Sequence, residues 1–417
     1  MHDFKFKNDE LYCEDVKVSS IVKRVGTPFY LYSYKTLTDH FLKIRKAFLK
    51  LNPIICFAMK SNGNLSVIKS LIDLGAGIDI VSMGELRKAL IAGADPQKIV
   101  FASVGKTEEE ISFAIESGIL LFNVESEPEL THINLIAKRM GKKVQAALRI
   151  NPDVPAPTHE YINTGSLKKK FGIDLRTTRQ IFKAQKKYPY VKINGVHIHI
   201  GSQITSSTPF VGAIKKVTAF IEDLKKEGID IEYLDIGGGL GIIYKDENPQ
   251  TALEYARKVV PLLQKTGLKI IMEPGRFIVG NAGVFVTKVL YIKDNGVKKF
   301  VIVDGGMNDL MRPMLYDAYH EIVPIKKNRS VKAKFDVVGP ICESGDFFAH
   351  ERMLPQVKSG DLLAVMSAGA YGYAMSSNYN VRPRVAEVMV RGKAFKIIKE
   401  RETLKDLMKG EIIVQWS

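Results

Sequence analysis

The sequence is poor in the features that mark secreted and membrane proteins. Its 417 residues include only three cysteines, Cys13, Cys56 and Cys342, too few and too scattered for a disulfide framework or a metal cluster. An odd count fits a reducing compartment. No apolar run reaches the roughly 18 to 20 residues that span a bilayer, and the first five residues lack the apolar core of a secretory signal. We therefore expect a cytoplasmic protein without a membrane segment.

Acidic residues are fewer than basic ones, 45 against 61, which gives a formal net charge of +16. Such an excess can mark a nucleic-acid-binding protein. Here the basic residues are spread along helix-like runs such as 213–226, and no basic stripe interleaved with aromatics accompanies them. This pattern is typical of solvated helix faces. We expect no nucleic-acid partner, although the surface would attract a small anionic substrate.

Short apolar strands alternate with amphipathic helical segments from about residue 28 to residue 280. The predicted strands are Phe29–Leu31, Ile54–Ala58, Gly77–Val81, Ile99–Ala102, Leu120–Val124, Gln145–Ile150, Gly195–Ile200, Tyr233–Ile236 and Lys269–Met272. Repeated strand–helix units indicate a parallel sheet, and their number favours a closed eight-fold α/β barrel of the TIM type. An open, doubly wound sheet is the alternative.

The pattern changes after about residue 281, where strand-like segments follow one another with few helical periods between them. This change predicts a second, mainly antiparallel β domain, a barrel or a sandwich. The first 27 residues are also strand-like and could join it. The predicted domains are thus 28–280 for the α/β barrel, and 1–27 with 281–417 for the β domain.

Unusual polar clusters fall at the predicted carboxyl ends of the barrel strands, where barrel enzymes carry their chemistry. They are Lys60-Ser61-Asn62, Asp79, Arg149–Asn151, His197–Ser202, Asp235–Gly239 and Glu273–Arg276. One or two such clusters would be chance, but six predict a site.

Lys60 leaves an apolar strand. By position alone it reads as a lysine that extends to the surface, but burial could lower its pKa until it forms an imine with an aldehyde. The glycines from Gly237 to Gly241 could let the backbone fold so that its N–H groups surround a phosphate. Ordinary tight turns use the same residues. Glu273 could pair with a protonated ring nitrogen, and Arg276 with a carboxylate or phosphate.

His197 and His199 lie two apart on a predicted strand and so face the same side. No third ligand with plausible spacing follows, and we therefore expect no metal. His199, nearer the strand end, could lie flat against an aromatic cofactor, and Ser202 could hydrogen-bond its phosphate. His197 reads as a core residue.

The second domain contributes three further motifs. Cys342 is flanked by an acid and glycines and could donate a proton. Tyr371 lies among small residues that would allow a ligand to approach closely. Arg312 and Tyr316 could together bind a carboxylate. Each motif alone could equally be an ordinary turn of a β domain.

Taken together, these motifs resemble the diaminopimelate decarboxylases, within the barrel-type pyridoxal-phosphate decarboxylases that include eukaryotic ornithine decarboxylase. The resemblance runs from the segment 26–32 to Asn378-Tyr379-Asn380, in the family's order. It implies pyridoxal 5'-phosphate (PLP) on Lys60, and an active site shared across a homodimer. The stretch Thr164–Gly172 departs from the family pattern at Lys169, within the region 157–170 where the family has its active-site loop.

The resemblance also implies a role for each site residue. Those it places at the cofactor are Lys60, Asp79, His199, Ser202, Gly238, Gly239, Glu273, Gly275, Arg276 and Tyr371. Those it places at the substrate are Arg276, Arg312, Tyr316, Glu343 and Tyr371, with Lys60, His199 and Cys342 catalytic and Cys342 the proton donor.

The same residues bear on the substrate, which the resemblance implies is meso-diaminopimelate. Its far end carries both a carboxylate, matched by Arg276, Arg312 and Tyr316, and an ammonium, matched by Glu343. A related decarboxylase of carboxynorspermidine, arginine or ornithine is one alternative. A catalytically silent binding protein and a nucleic-acid binder are others, but a silent relative would have no chemical need for Lys60, Glu273 and Cys342 together.

Overall fold

The computed structural model describes residues 2–154 and 170–416. They form two compact units. The first consists of Met1–Leu37, Tyr244–Asp246 and Val279–Ser417, and the second of Thr38–Ile243 and Glu247–Ile278. Most of the predicted active-site loop, including Lys169, lies outside the described residues. No helix in the described part of the chain is long and apolar enough to cross a membrane.

The strands are, in chain order, β1 (Phe4–Lys7), β2 (Glu10–Cys13), β3 (Val16–Lys17), β4 (Phe29–Ser33), β5 (Ile54–Ala58), β6 (Gly77–Ile80), β7 (Ile99–Ala102), β8 (Leu121–Val124), β9 (Val144–Arg149), β10 (Val191–His197), β11 (Tyr233–Asp235), β12 (Lys269–Met272), β13 (Gly283–Asp294), β14 (Lys299–Val303), β15 (Ile322–Pro324), β16 (Lys332–Val338), β17 (Phe347–Pro355), β18 (Leu362–Val365), β19 (Ala386–Arg391) and β20 (Ala394–Lys399). The helices are α1 (Val18–Val25), α2 (Tyr34–Ala47), α3 (Leu65–Ile72), α4 (Met83–Ile91), α5 (Glu108–Ser117), α6 (Glu127–Arg139), α7 (Leu175–Lys183), α8 (Thr208–Lys226), α9 (Ala252–Gln264), α10 (Arg276–Val279), α11 (Arg312–Tyr316) and α12 (Leu404–Leu407).

Strands β5 to β12 form the predicted closed barrel, and the open-sheet alternative is wrong. Neighbouring strands pair in parallel, and β12 closes the ring by pairing with β5. Several helices between the strands begin at side-chain caps. Thr107 and Thr251 each form a capping box, and Ser82 and Ser126 each accept a hydrogen bond from the third residue of their helix. Such caps satisfy backbone donors that a helix start leaves open, and so fix where each helix begins.

The residues buried inside the barrel change from apolar to polar along the strands. An apolar core is built from residues of several barrel strands: Cys56, Val100, Leu121, Ala147, Tyr233 and Ile271. Towards the carboxyl ends the buried residues become polar, with Asp79, Asn123, His197 and Asp235 almost or completely inaccessible. Charged and amide groups this deep must pair with one another or with a ligand, because burying them alone costs several kcal/mol. The polar end of the barrel is therefore where a site should be sought.

A nine-stranded, mainly antiparallel system makes up most of the other unit, as predicted. Its order is β17-β16-β14-β13-β4-β19-β20, with β18 on β13 and β15 on β18. The three strands that precede helix α1 form a separate antiparallel sheet in the same unit.

One strand prediction is corrected. Residues Phe29–Leu31 were expected in the barrel, but β4 pairs with β13 and β19, and the compact unit containing β4 extends to Leu37. The cause is visible in its burial. Tyr30 and Tyr32 enter one apolar core of this unit and Phe29 and Leu31 enter the other. A strand buried on both faces has the same continuous apolar sequence as a barrel strand.

Candidate functional site

Lys60 lies at the polar end of the barrel, in a single turn that follows β5. Its Nζ donates a hydrogen bond of 2.6 Å to Oδ2 of Asp79 on the neighbouring strand β6. Burial, reinforced by the charge of Glu273 and opposed by Lys60, raises the pKa of Asp79 to about 7. The other oxygen of Asp79, Oδ1, is buried and has no hydrogen-bond partner among the described residues. The side chain of Lys60 is 32% exposed, so its amine is held in place yet remains accessible.

His199 follows β10 and is kept in its neutral form. The backbone N–H of Gly238 donates to His199 Nδ1 at 3.3 Å, so this nitrogen carries no proton and the ring's proton is on Nε2. Burial, together with the positive charges of Arg149 and Lys60, holds the pKa of His199 well below its usual range. A neutral imidazole fixed by the glycine turn is suited to lie against an aromatic ring.

The glycine turn after β11 packs too closely against its neighbours for any side chain. A Cβ on Gly238 would lie 2.1 Å from the carbonyl oxygen of Glu273, and one on Gly239 would lie 2.5 Å from that of Gly201. Gly239 also has a φ of +106°, in the region that favours glycine. The requirement for glycine is therefore steric as well as conformational.

Ser202 and Arg276 meet at the same end of the barrel. The guanidinium of Arg276 donates to Ser202 Oγ from NH2 at 3.0 Å and from Nε at 3.3 Å. Arg276 opens helix α10 and is 6% exposed. Gly275, just before it, approaches Ala58 and Ser61, because a Cβ there would lie 3.0 Å from the Ala58 Cβ. A buried guanidinium beside a hydroxyl is chemistry that suits a phosphate or carboxylate.

Glu273 follows β12 and is 2% exposed. Its Oε1 accepts a hydrogen bond of 3.0 Å from Asn123 Nδ2, and its Oε2 lies 3.4 Å from Nε2 of His197. Burial alone would raise the pKa of Glu273, but His197 and Lys60 outweigh burial, and the pKa lies below its ordinary value. The carboxylate is thus an anion inside the barrel.

Cys342 lies in the other unit, in a turn whose shape is fixed by Asp346. The Asp346 carboxylate accepts the backbone N–H groups of Ile341 and Met307, at 2.6 and 2.7 Å. The N–H of Cys342 itself donates to Oδ1 of Asn380 at 3.0 Å. Within the single chain Cys342 and its neighbour Glu343 are exposed.

Arg312 begins helix α11 of the same unit and is buried among aromatic groups. One of its terminal nitrogens, NH1, donates to His320 Nε2 at 2.8 Å, and its guanidinium lies 4.5 Å from the ring centre of Tyr244. His320 Nδ1 contacts the carbonyl oxygen of Met366 at 2.8 Å. A carbonyl can only accept, so His320 carries its proton on Nδ1 and offers Nε2 to the arginine. The histidine therefore sets the direction of the guanidinium.

The remaining predicted residues are also in this unit. Tyr316 is the last residue of helix α11. Glu343 Oε2 accepts a hydrogen bond from the Tyr379 hydroxyl at 3.4 Å. Tyr371 has a φ of +56°, which is uncommon for a bulky residue and is found where surrounding structure enforces it.

The structure therefore gathers nine of the predicted residues at the polar end of the barrel unit: Lys60, Asp79, His199, Ser202, Gly238, Gly239, Glu273, Gly275 and Arg276. The other five, Arg312, Tyr316, Cys342, Glu343 and Tyr371, belong to the second unit. Among the residues that contact this set, Asn123, His320 and Tyr244 were not predicted. Asn123 carried a signal, because an amide within the apolar segment Leu121–Val124 has to be satisfied by another buried group. For His320 the sequence offered no such pattern.

This arrangement agrees with comparisons to known proteins. Residues 34–280 match the family model described as pyridoxal-dependent decarboxylase, pyridoxal binding domain. The barrel and its lysine, acid and glycine turn therefore define the class, a barrel-type pyridoxal-dependent decarboxylase. The chain is 49% identical over 399 residues to the diaminopimelate decarboxylase of Aquifex aeolicus, covering 95% of this chain and 94% of that protein. Within that class, the chain belongs to the diaminopimelate decarboxylase family.

Two solved structures agree at the level of the whole chain. The diaminopimelate decarboxylase of Helicobacter pylori complexed with L-lysine superposes with a TM-score of 0.91 and 42% identity, covering 94% of this chain and 98% of that one. The M. jannaschii enzyme in complex with L-lysine gives a TM-score of 0.94 and 38% identity, covering 99% of each chain.

Proposed function

We propose that this chain is a PLP-dependent carboxy-lyase that converts meso-2,6-diaminopimelate to L-lysine and carbon dioxide, the last step of lysine biosynthesis. The observation that carries the proposal is the position of Lys60. Its amine is hydrogen-bonded to the buried Asp79 at the polar end of a barrel, in a chain whose relatives are diaminopimelate decarboxylases.

The residues present fit PLP. Arg276, Ser202 and the backbone at Gly239 would hold its phosphate, because a buried guanidinium beside a hydroxyl suits a dianion and Gly239, which packs against Gly201, carries no side chain to block it. His199 would lie flat against the ring, since its neutral form carries no charge that must be hydrated. The buried oxygen of Asp79 that lacks a partner among the described residues leaves one acceptor for a ligand beside Lys60.

Lys60 and Glu273 have the chemical properties that the proposed reaction requires. Lys60 would bond covalently to the cofactor aldehyde and release it to the amino group of the substrate. Glu273, held as an anion, would keep the ring nitrogen protonated. The cofactor supplies a conjugated ring that accepts the electron pair left behind when the C–C bond to the carboxylate breaks.

Cys342 would return the proton to the carbon that has lost its carboxylate. Its thiol is exposed within the single chain, and its turn is held rigidly by Asp346 and Asn380. A catalytic group on an exposed, rigid turn supports a homodimer in which Cys342 completes the site of the partner subunit. The three free thiols would stay reduced in the cytoplasm, where we propose that the enzyme acts.

The far end of the substrate would be recognised by residues of the second unit. Arg312, aimed by His320, would bind the distal carboxylate together with Tyr316 and Arg276, and Glu343 would bind the distal ammonium. Tyr371 would lie beside both substrate and cofactor. A substrate without the distal carboxylate would lose the charge-assisted hydrogen bond to this buried guanidinium, which is worth roughly 1.5 to 3 kcal/mol.

Turnover on several amino acids tests this proposal. PLP-loaded protein should release carbon dioxide from meso-diaminopimelate and at least tenfold less, as kcat/KM, from ornithine, arginine or carboxynorspermidine. Lys60→Ala is the matched control, and it should abolish both the covalently bound cofactor's absorbance band and turnover. Faster release from one of the three other substrates would favour a related decarboxylase. Cofactor binding without any release would favour a silent binding protein.

A further inference from the structure

Three buried polar side chains from three barrel strands, those of Asn123, His197 and Asp235, meet around Glu273. Asn123 Nδ2 donates to Oε1 of Glu273 at 3.0 Å and to Oδ2 of Asp235 at 3.2 Å. The ligand-type atoms of His197, Asp235 and Glu273 all lie within 4.8 Å of one another. Asp235 and Asn123 are completely inaccessible, and the other two are at most 2% exposed. Two carboxyl groups are therefore confined in one dry space.

Two carboxylates this close in a low dielectric destabilise each other's charge, which favours the protonated form of one of them. The carboxyl groups of Asp235 and Glu273 lie within 4.8 Å of each other and share the amide of Asn123, and a hydrogen bond between two carboxyl groups requires a proton on one of them. We infer that Asp235 keeps this proton in the working enzyme and donates a hydrogen bond to the Glu273 carboxylate, so that Asp235 and Asn123 act as positioning residues that keep Glu273 anionic. The inference rests on the proposed function in one respect, that Glu273 faces the cofactor ring nitrogen.

The surroundings decide which carboxyl carries the proton. Glu273 faces His197 at 3.4 Å and is also stabilised by the positive charge of Lys60. The groups around Asp235 include His197, Glu273, the amide of Asn123, the N–H of Gly237 and the buried thiol of Cys56. Apart from His197, which both carboxyl groups share, none of these groups is a cation. Burial and the charge of Glu273 accordingly raise the pKa of Asp235 well above its ordinary value.

The amide of Asn123 indicates that the bridge is a proton and not a metal ion. Its two hydrogens point at Asp235 and Glu273, and a cation between these carboxylates would repel them. The amide is itself anchored, because the ammonium of Lys106 donates to the backbone carbonyl of Asn123 at 2.8 Å and to Glu129 at 2.6 Å. The side chain of Lys106 is fully buried, and its hydrogen bonds hold the end of strand β8 in place.

Infrared spectroscopy of the holoenzyme tests the proton directly, because a protonated carboxylic acid and a carboxylate have separate stretching bands. The spectrum should be recorded at pH about 9, where Asp79 and Asp309, with pKa values of about 7, are ionised. We expect an acid band that shifts in D₂O and is absent from Asp235→Asn. No difference between the two proteins in this band would overturn the inference.

A second variant covers the case in which Asp235→Asn does not fold. Asn123→Leu removes the N–H donor from both carboxyl groups but leaves the Asp235 proton, so the acid band should remain and move in frequency. An acid band with the wild-type position in Asn123→Leu would overturn the inference.

Cofactor affinity separates a positioning role from a merely structural one. The dissociation constant of PLP should stay within about threefold of wild type in Asp235→Asn, whose amide still donates to Glu273, and should rise roughly ten- to a hundredfold in Asp235→Leu. Equal weakening in both variants would contradict the donated hydrogen bond. Neither experiment uses a substrate, so a failure to decarboxylate meso-diaminopimelate would contradict the proposed function and leave the Asp235 result standing.

Discussion

Replacing His320 with leucine should weaken substrate binding without touching the cofactor site. His320 is completely buried and accepts a hydrogen bond of 2.8 Å from Arg312. Loss of one hydrogen bond to a charged group costs about 1.5 to 3 kcal/mol, which is roughly a ten- to 150-fold loss in affinity. The contact between Arg312 and Tyr244 remains, so the guanidinium should stay in the region but lose its fixed direction. We expect KM for meso-diaminopimelate to rise by about this factor while kcat changes less.

Steady-state release of carbon dioxide measures both constants, and the absorbance of the bound cofactor reports whether its site is intact. His350→Leu is the matched control, because this histidine is in the same unit but its side chain is 52% exposed, and its loss should leave KM unchanged. An unchanged KM in His320→Leu would refute the role of His320 in aiming Arg312. A loss of the cofactor band would refute the claim that its effect is confined to the substrate.

Three further predictions concern the cofactor, the proton donor and stability. Gly238→Ala should lower PLP affinity at least tenfold in an absorbance titration, because its Cβ would lie 2.1 Å from the Glu273 carbonyl oxygen. Cys342→Ser should lower kcat while PLP affinity is retained, since a hydroxyl gives up its proton less readily than a thiol. Burial raises the pKa of Asp309 to about 7. Between pH 4 and pH 7 the folded chain therefore holds a proton on Asp309 that the unfolded chain has lost. The free energy of unfolding should fall by at most about 4 kcal/mol as the pH rises from about 4 to 7. Thermal unfolding midpoints should fall over this range in wild type and less in Asp309→Asn.

The barrel was predictable because its sequence signals are local and agree with one another. Apolar segments of strand length alternate with helices that begin at their own caps, such as Thr107 and Thr251. The exception, β4, shows the limit of that reasoning. Because β4 is buried on both faces, its sequence is as continuously apolar as that of a barrel strand. Only its pairing with β13 and β19, hundreds of residues away in sequence, shows that it belongs to the β unit.

The candidate site was predictable where unusual residues follow strands, as Lys60, His199 and Glu273 do. The residues that support them were harder to find, because their partners are distant in sequence. Asn123 reaches Asp235 and Glu273 across 112 and 150 residues, and the direction of Arg312 depends on a histidine tautomer. Such contacts are decided by the three-dimensional packing of strand ends, which composition and spacing do not report.

The most direct test of the account is to locate the cofactor on the chain. Treating the holoenzyme with borohydride makes the covalent link between lysine and cofactor permanent, and peptide mass spectrometry then identifies the modified residue. We predict one phosphopyridoxyl group per chain, on Lys60, and none when meso-diaminopimelate has first displaced Lys60 from the cofactor. Modification of another lysine, such as the buried Lys106, or of no lysine at all, would contradict the assignment of Lys60 as the residue that binds the cofactor.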